Sequence, residues 1–317
     1  MCDTCGCNVT SGNEHLVRPG GKHAETSSGH AAVEVLQSLL GENDHQAAHN
    51  RAHFDARGLL AVNLMSSPGA GKTSLLEATI DALGGELKIA VVEGDLETEN
   101  DAERIRAKGV EAIQIATGSA CHLDAHMVHD ALHRLNLSGV DILFVENVGN
   151  LVCPASFDLG HHRNVTLLSV PEGDDKPAKY PVMFRAADLV LLTKADLLPV
   201  LDDFDAERAQ RYLRELATPA PFLTLSARRD GDSLGPWLEW LRTELAAQRA
   251  RVAQGATARP ALQPDGALLH GGHAGHEHAH SAGGAHDHHA HAHAHAHGHT
   301  HGRDAEEHRH GEPHASG

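Results

Sequence analysis

The stretch Ser66-Ser67-Pro68-Gly69-Ala70-Gly71-Lys72-Thr73 follows an apolar run at 59–65 and precedes a segment, 75–83, with the apolar spacing of a helix. A strand, a glycine-containing turn ending in Gly-Lys-Thr and a helix form the arrangement of a P-loop. Its backbone amides and lysine hold phosphate oxygens, its threonine hydroxyl reaches Mg²⁺, and the helix N-terminus favours anions. The strict pattern has glycine where Ser66 stands, so the match is incomplete. The segment still predicts a nucleotide-phosphate site, formed by Gly69, Ala70, Gly71, Lys72, Thr73 and Ser74.

Strand-like and helical segments concentrate between about residues 59 and 245 of the 317-residue chain, enough for one α/β domain with a full core. The predicted strands are 59–65, 87–93, 110–115, 140–146, 165–170, 188–192 and 221–225.

Charge and composition exclude several classes of function. A formal charge of −17 argues against binding to a nucleic-acid backbone, and 3% aromatic residues argue against a base-stacking surface. No run of 18 apolar residues is present, so no membrane span is predicted. The N-terminus lacks the basic and apolar regions of a secretory signal, and a cytoplasmic protein is expected.

Three thiols lie at the N-terminus, at Cys2, Cys5 and Cys7, before a polar, tether-like segment at 8–30. In a reducing compartment such thiols are metal or redox ligands rather than disulfide partners. Thiolates with amide nitrogen donors suit square-planar Ni²⁺, whereas four thiolates would indicate Zn²⁺. We interpret the segment as a mobile metal-binding terminus; an incidental or redox Cys-x-x-Cys is the alternative.

Residues 31–57 show a helical pattern that is interrupted at Gly41 and then resumes. His45, His49 and His53 recur every four residues and line one face of that helix. They could bind a metal, but a solvated face of a packing helix is the favoured interpretation. Further along the chain, three more histidines are predicted to be surface residues of another helix: His126, His129 and His133.

Three acids follow predicted strands near the P-loop. Asp95 ends the second strand, Asp101 lies where the next helix begins, and Glu146 ends an apolar strand in the Walker-B pattern. Acids at these places hold Mg²⁺ or orient the attacking water. With Lys72 they are the predicted catalytic residues, and the predicted Mg²⁺ ligands are Thr73, Asp101 and Glu146. Asp101 alone is equally typical of a helix's first turn, where acids are favoured.

Cys121 and His122 are adjacent at a strand-to-helix turn, and Cys153 lies seven residues after Glu146. Two thiolates and an imidazole with an open fourth position suit Zn²⁺ or Ni²⁺. Alone, a Cys–His pair is more often structural. The short distance between Glu146 and Cys153 would let a nucleotide-driven shift reach a metal directly.

The sequence Thr193-Lys194-Ala195-Asp196 follows a buried strand about 120 residues after the P-loop. The Asp196 carboxylate can accept hydrogen bonds from guanine N1 and N2, and Lys194 can lay its stem along the base. Ser226-Ala227, after the last predicted strand, matches a backbone element that contacts the guanine oxygen. These residues predict GTP rather than ATP.

A last helix is predicted from Ser233, as its N-cap, to about Arg251. More than half of the 29 histidines lie from His270 onward, in a low-complexity segment that is predicted to be disordered. Its imidazoles suit Ni²⁺, Zn²⁺ or Cu²⁺ and indicate a metal store, with a purification tag as the alternative. The predicted ligands include His286, His288, His289, His291, His293, His295, His297 and His299.

Over nearly all of residues 1–250 the chain resembles the hydrogenase nickel-incorporation GTPase family, HypB. The resemblance rests on the N-terminal cysteines, the P-loop, Glu93-Gly94-Asp95, 121–125, 193–196 and, most specifically, Glu146-Asn-Val-Gly-Asn-Leu-Val-Cys-Pro154. Ser66 in place of glycine is usual for this family, whereas a histidine-rich segment at the C-terminus departs from its usual place.

The resemblance implies a P-loop α/β fold, with a mostly parallel sheet flanked by helices, of the branch that contains signal-recognition-particle and metallochaperone GTPases. It implies a nickel site at Cys2, Cys5 and Cys7, and a nickel or zinc site at Cys121, His122 and Cys153. The expected function is storage of Ni²⁺ and its GTP-dependent insertion into a [NiFe]-hydrogenase large-subunit precursor, with slow hydrolysis to GDP. A HypA-type accessory protein and a homodimer are the other expected partners.

Two other functions remain as alternatives: a nickel-storage protein with vestigial GTPase activity, and a urease-accessory GTPase. The domain hypothesis is a Cys-motif terminus with tether at 1–30, a helical lead-in at 31–57, a GTPase domain at 58–252 and a metal-binding tail at 253–317.

Overall fold

A computed structural model of the chain describes residues 29–95, 100–118, 120–228 and 232–262. Within these ranges the strands form one parallel sheet in the order β3-β2-β4-β1-β5-β6-β7. The strands are β1 (Leu60–Ser66), β2 (Ile89–Asp95), β3 (Glu111–Ala116), β4 (Ile142–Glu146), β5 (Arg163–Ser169), β6 (Leu189–Thr193) and β7 (Phe222–Thr224). Each predicted strand is present, within a few residues of its predicted bounds.

Helices cover both faces of the sheet. They are α1 (Gly29–Asp55), α2 (Lys72–Leu83), α3 (Asn100–Ala107), α4 (Ala125–Leu132), α5 (Lys176–Lys179), α6 (Pro181–Arg185), α7 (Ala206–Tyr212) and α8 (Gly235–Ala253). A parallel sheet with helices on both faces confirms the predicted fold class. In the described part of the chain, no helix is both long and apolar enough to cross a membrane.

The central strands are buried on both faces, which explains their continuous apolar sequences. Along β1, Leu60 and Val62 pack with α2 and α8 on one face of the sheet, whereas Ala61 packs with α1 and α4 on the other. This alternation follows from the two-residue period of a strand. Because the strands are parallel, the carboxyl ends of β1, β2, β4 and β6 lie at one edge, where ligands bind in open α/β sheets.

The predicted interruption at Gly41 is wrong, because α1 continues without a break from Gly29 to Asp55. A glycine inside a helix costs about 1 kcal/mol relative to alanine. Contacts beyond Gly41 offset this cost: Asn43 donates to the Asp158 carbonyl at 2.9 Å and accepts from the Ala125 amide at 2.9 Å. Since these partners are distant in sequence, the local pattern could not reveal them.

The predicted N-cap at Ser233 is also wrong. The last helix has Leu234 as its N-cap, without a side-chain hydrogen bond. The Ser233 hydroxyl instead donates to the Ser226 carbonyl at 3.0 Å and accepts from the Ser226 amide at 3.2 Å. The hydroxyl therefore fixes the loop after β7 to the start of α8.

The predictions for the N-terminal cysteines and the histidine-rich tail lie outside the described residues. The proposed domain bounds stay predictions.

Candidate functional site

A pocket of about 470 Å³ opens at the carboxyl edge of the sheet. All ten predicted nucleotide-binding residues line it: Gly69, Ala70, Gly71, Lys72, Thr73, Ser74, Lys194, Asp196, Ser226 and Ala227. The P-loop lies at one end of the pocket, at the start of α2, where Gly71 adopts a left-handed conformation with φ 98°. Glycine adopts that conformation without strain, which explains its place before Lys72.

Ser66 has a defined role where the general pattern has glycine. The Lys72 ammonium donates to the Ser66 hydroxyl oxygen at 3.1 Å, and that hydroxyl donates to the Ser67 carbonyl at 2.6 Å. Lys72 is buried, and its charge also acts on the nearby acids Glu93 and Glu146. The serine thus holds the lysine at the P-loop.

The Thr73 hydroxyl donates to Glu146 Oε1 at 3.0 Å, which joins the P-loop to the end of β4. Burial raises the pKa of Glu146 to about 7, against the opposing charge of Lys72. Among the described residues, the second Glu146 carboxylate oxygen has no hydrogen-bond partner. A buried carboxyl with an unused oxygen beside a threonine hydroxyl fits the oxygen donors that Mg²⁺ prefers.

Glu93 is a buried acid beside Glu146 to which the sequence interpretation assigned no role. It lies opposite Glu146 in the β2–β4 pairing and is only 2% exposed. Burial, followed by the Glu146 charge, raises the pKa of Glu93 to about 8. The sequence does mark Glu93 as unusual, because it is an acid in an otherwise apolar strand, two residues before Asp95. Its pairing with Glu146, however, follows only from the order of the strands in the sheet.

We expect the contribution of Glu93 and Glu146 to the free energy of unfolding of the nucleotide-free protein, in chelator, to fall as pH rises from about 5 to about 8. The folded state keeps protons on Glu93 and Glu146 that the unfolded chain releases near its usual value of 4.5, so unfolding becomes more favourable as protons become scarce. Glu93→Gln remains neutral, so it should exceed wild type by roughly 1–3 kcal/mol at pH 8.5 and match it at pH 5.

Urea unfolding at a series of pH values measures this effect. Glu103→Gln, the same change at an exposed position of α3, is the matched control and should follow wild type. A Glu93→Gln curve parallel to wild type would show that Glu93 is charged in the folded protein.

Of the other two predicted acids, Asp101 lines the pocket and Asp95 does not. Asp101 lines the pocket, but its carboxylate accepts from Arg104 at 2.7 Å, and Arg104 also donates to Glu77 at 2.6 Å. Arg104, which the sequence interpretation missed, lines the pocket as well. Asp95 ends β2 and is half-buried but is not among the residues that line the pocket.

The far end of the pocket is built by β6 and the turn after it. The Thr193 hydroxyl donates to the Ala70 carbonyl at 2.8 Å, and the Lys194 ammonium donates to the Gly69 carbonyl at 2.6 Å. Lys194 has φ 56°, a left-handed value that non-glycine residues rarely adopt. The Ser226 hydroxyl donates to Asp196 Oδ1 at 2.6 Å. The first two bonds fix the turn 193–196 against the P-loop, and the third joins that turn to the loop after β7.

Three possible metal ligands lie together in the segments that flank β4. The ligand atoms of Cys121, His122 and Cys153 all lie within 4.8 Å of one another. The two sulfurs are 3.2 Å apart, and Cys121 Sγ is 4.0 Å from His122 Nδ1. The His122 ring stacks on Phe157 with centroids 3.9 Å apart, so its orientation is fixed. Three ligands of these types can hold a borderline metal ion and leave a fourth position open.

The loop 146–153 connects the P-loop pocket to these three ligands. Directly after Glu146, the buried Asn147 accepts from the backbone amide of Leu123, next to His122, at 3.1 Å. At its other end, Asn150 accepts from the Cys153 amide at 3.2 Å. Between them Gly149 lies so close to the P-loop that a Cβ would stand 2.8 Å from Pro68 backbone atoms. A displacement of this loop would therefore move both ligand segments.

The sequence profile of the CobW/HypB/UreG nucleotide-binding domain matches residues 60–224. The chain is 52% identical over 235 residues to the hydrogenase maturation factor HypB of Azotobacter vinelandii, covering 74% of this chain and 77% of the relative. It belongs to the HypB family. The HypB of Escherichia coli K12 is 51% identical over 227 residues, covering 72% of this chain and 78% of that protein.

Two solved HypB structures share the fold of this family member. HypB from Helicobacter pylori, in complex with nickel, has a TM-score of 0.59 at 40% identity and covers 68% of this chain and 98% of its own. HypB from Archaeoglobus fulgidus has a TM-score of 0.60 at 39% identity and covers 65% of this chain and 100% of its own. Membership of the HypB family confirms the resemblance found from the motifs.

Proposed function

We propose that this protein is a GTP-hydrolysing nickel metallochaperone that stores Ni²⁺ and inserts it into the large subunit of a [NiFe] hydrogenase. The observation that carries the proposal is the loop 146–153, which joins the acid of a P-loop pocket to a thiolate–imidazole cluster within eight residues. The relatives, named hydrogenase maturation factors, and the nickel complex of the Helicobacter pylori protein support the biological setting.

GTP is the proposed substrate. Asp196 offers carboxylate oxygens to the two N–H donors of guanine, and Ser226 holds one of those oxygens in place. Lys72 and the backbone amides of 69–73 would stabilise charge on the transferred phosphoryl group, and an acid among Asp95, Asp101 and Glu146 would orient water. Arg104 is engaged by Glu77 and Asp101, so slow intrinsic turnover is expected.

Mg²⁺ is the proposed cofactor of this reaction. Thr73 and Glu146, with the unused Glu146 oxygen, fit such an ion, and Asp101 lines the same pocket. When bound, Mg²⁺ neutralises phosphate charge. Burial raises the pKa of Glu146 and keeps that carboxyl partly protonated in the free protein, so its deprotonation accompanies ion binding.

Nickel is the proposed cargo at Cys121, His122 and Cys153. The two sulfurs lie 3.2 Å apart, close enough to bind one ion, and thiolate and imidazole donors suit Ni²⁺ as well as Zn²⁺. The N-terminal cysteines and the histidine-rich tail would supply further nickel sites.

The proposed partners are a HypA-type accessory protein, the hydrogenase large-subunit precursor and a second copy of this chain, all in the cytoplasm. Neither nucleic acid nor membrane is part of the proposal.

We expect the Cys121/His122/Cys153 site to bind Ni²⁺ at least tenfold differently with GDP and with a non-hydrolysable GTP analogue. Tenfold corresponds to a coupling free energy of about 1.4 kcal/mol. The full chain with Cys2, Cys5 and Cys7 replaced by serine keeps thiols only at positions 121 and 153. Thiolate-to-nickel absorption, titrated at buffered free nickel, then reports this site and not the tail.

Asn147→Ala tests whether the loop 146–153 couples the nucleotide pocket to the nickel site. It removes the bond to the Leu123 amide but no metal ligand, so nickel should still bind with GDP while the nucleotide effect shrinks. Cys153→Ser should abolish the signal. Equal nickel affinities with both nucleotides would reject switched release from this site.

A further inference from the structure

Helices α1 and α4 bring four histidines together on the surface of the protein. His49 and His53 lie one turn apart on α1; His129 and His133 lie one turn apart at the end of α4. The ring centroids are 4.5 Å apart within each pair and 5.1 Å apart between His49 and His129. The favoured interpretation of these side chains as a merely solvated face is therefore incomplete, because each pair faces the other.

Asn50 determines which nitrogen of His129 carries the proton. The amide nitrogen of the fully buried Asn50 donates to the carbonyls of Ala125 and Leu159 at 2.8 and 3.1 Å, so its orientation is fixed. Its oxygen lies 3.0 Å from His129 Nδ1 and can only accept, so Nδ1 must carry the hydrogen. The lone pair of neutral His129 is then on Nε2. This is the outer hydrogen bond that typically orients a metal-binding histidine.

The Nε2 atoms of His129 and His133 lie 3.0 Å apart, and since His129 Nε2 carries the lone pair, His133 Nε2–H donates to it; an ion bound by both nitrogens would replace that hydrogen. Two imidazole nitrogens bound to one ion at about 2.1 Å are separated by about 3.0 Å when they subtend roughly a right angle. Rings that share an ion in this way have centroids about 5 Å apart, close to the three spacings given above. Among the described residues, Cys121, His122 and Cys153 are the only group of three whose ligand atoms all lie within 4.8 Å of one another. His49, and His53 with its centroid 6.2 Å from that of His129, would therefore both need a side-chain rotation to join the pair.

The surroundings favour neutral imidazoles, which are the ligand form. Burial, then the neighbouring histidines, lower the pKa of His129; burial, His49 and Arg57 lower that of His53. Arg57 is the opposing positive charge, but its guanidinium is held by the His53 carbonyl at 3.0 Å. The negative charge of Asp130 opposes this effect and raises the pKa of His129.

We propose that His129 and His133, joined by His49 and His53 after rotation of those two side chains, form a surface site for a divalent transition-metal ion. Imidazole donors select Ni²⁺, Zn²⁺ or Cu²⁺ over hard cations such as Mg²⁺. The site lies at the opposite end of α4 from His122, about 12 Å along the helix axis. Its exposed ligands, His49 and His133, would let an ion enter from solvent or from a chelating segment.

Histidine carbethoxylation of the full chain, mapped residue by residue by mass spectrometry, tests the site. Ni²⁺ and Zn²⁺ are applied in separate titrations at chelator-buffered free concentrations, so ions bound elsewhere on the chain do not change the free level. We expect His49, His129 and His133 to lose reactivity together, with one midpoint. Mg²⁺ should give no protection.

His133→Ala should raise the midpoint for His49 and His129 at least tenfold, and His49→Ala should do the same for His129 and His133. Both positions are exposed, so folding should not depend on them. His126→Ala, an exposed histidine on the same helix, is the matched control and should leave the midpoint unchanged. Absence of protection, or midpoints that neither variant shifts, would overturn the proposal.

Discussion

Arg51→Ala is expected to lower the free energy of unfolding by about 3–5 kcal/mol, because it leaves a buried carboxylate without its partner. The Arg51 guanidinium lies 2.7 Å from both oxygens of Asp158, and the two side chains are only 4% and 11% exposed. Burial opposes the charge of Asp158, but His161, Arg51 and the Gly160 amide hold its pKa below the usual value. Asp158 is therefore charged at neutral pH and depends on these contacts.

Loss of this ion pair should also disturb the Cys121/His122/Cys153 group, because Asp158 directly follows Phe157, on which His122 stacks. Gly160 also fits tightly under α1: with φ +89°, an added Cβ would lie 2.6 Å from the Ala47 carbonyl oxygen. The ion pair thus anchors α1 to the segment that supports His122. A protein cut between α1 and β1 would lose this anchor, so nickel measurements need a chain that retains the helix.

Denaturant unfolding at pH 7 measures the effect. Arg51→Met combined with Asp158→Asn should recover most of the loss, because the amide oxygen can still accept from Gly160 while no charge remains. Arg242→Ala is the matched control, since Arg242 makes a similar two-bond contact to Glu86 at the surface, and its effect should be much smaller. An Arg51→Ala loss no larger than that of the control would show that Asp158 does not need its partner.

The fold was predictable because its signals are local. Buried parallel strands are continuous apolar runs, and the Gly-Lys-Thr turn fixes where one strand and one helix meet. The order of the strands was not predictable in this way. Glu93 and Glu146 are 53 positions apart, and only the β2–β4 pairing shows that two acids share one buried site.

The candidate metal sites show the same limit. Cys121 and His122 are neighbours in sequence, and Cys153 was paired with them by ligand type and resemblance to a known family. From the sequence, each histidine pair on α1 and α4 was interpreted as a solvated helix face. An i, i+4 spacing shows that two residues share a face of one helix, but not which other helix that face meets. Asn50 joins the two helices through Ala125 and His129, and no periodic pattern marks such a residue.

Asp196→Asn is expected to weaken GTP binding roughly 100-fold and to make xanthosine triphosphate the better ligand. Guanine presents two N–H donors, N1 and N2, to the carboxylate; an amide offers one acceptor and one donor, so one guanine contact becomes a donor facing a donor. Each hydrogen bond to a charged group contributes about 1.5–3 kcal/mol, so loss of one to two of them accounts for the 100-fold change. Xanthine has a carbonyl in place of the N2 amine and can accept from the new amide.

Displacement of a fluorescent nucleotide by GTP and by xanthosine triphosphate measures both affinities. Asp203→Asn makes the same chemical change at an exposed position and should leave both unchanged. The Ser226 hydroxyl, which donates to Asp196 Oδ1 at 2.6 Å, can still donate to the amide oxygen of the substituted side chain, so the turn should keep its place. If the variant still prefers GTP, Asp196 does not read the base, and the assignment of guanine to this pocket fails. A reversed preference with an unchanged melting temperature would locate base recognition at this one carboxylate, since the P-loop contacts phosphate groups that both nucleotides share.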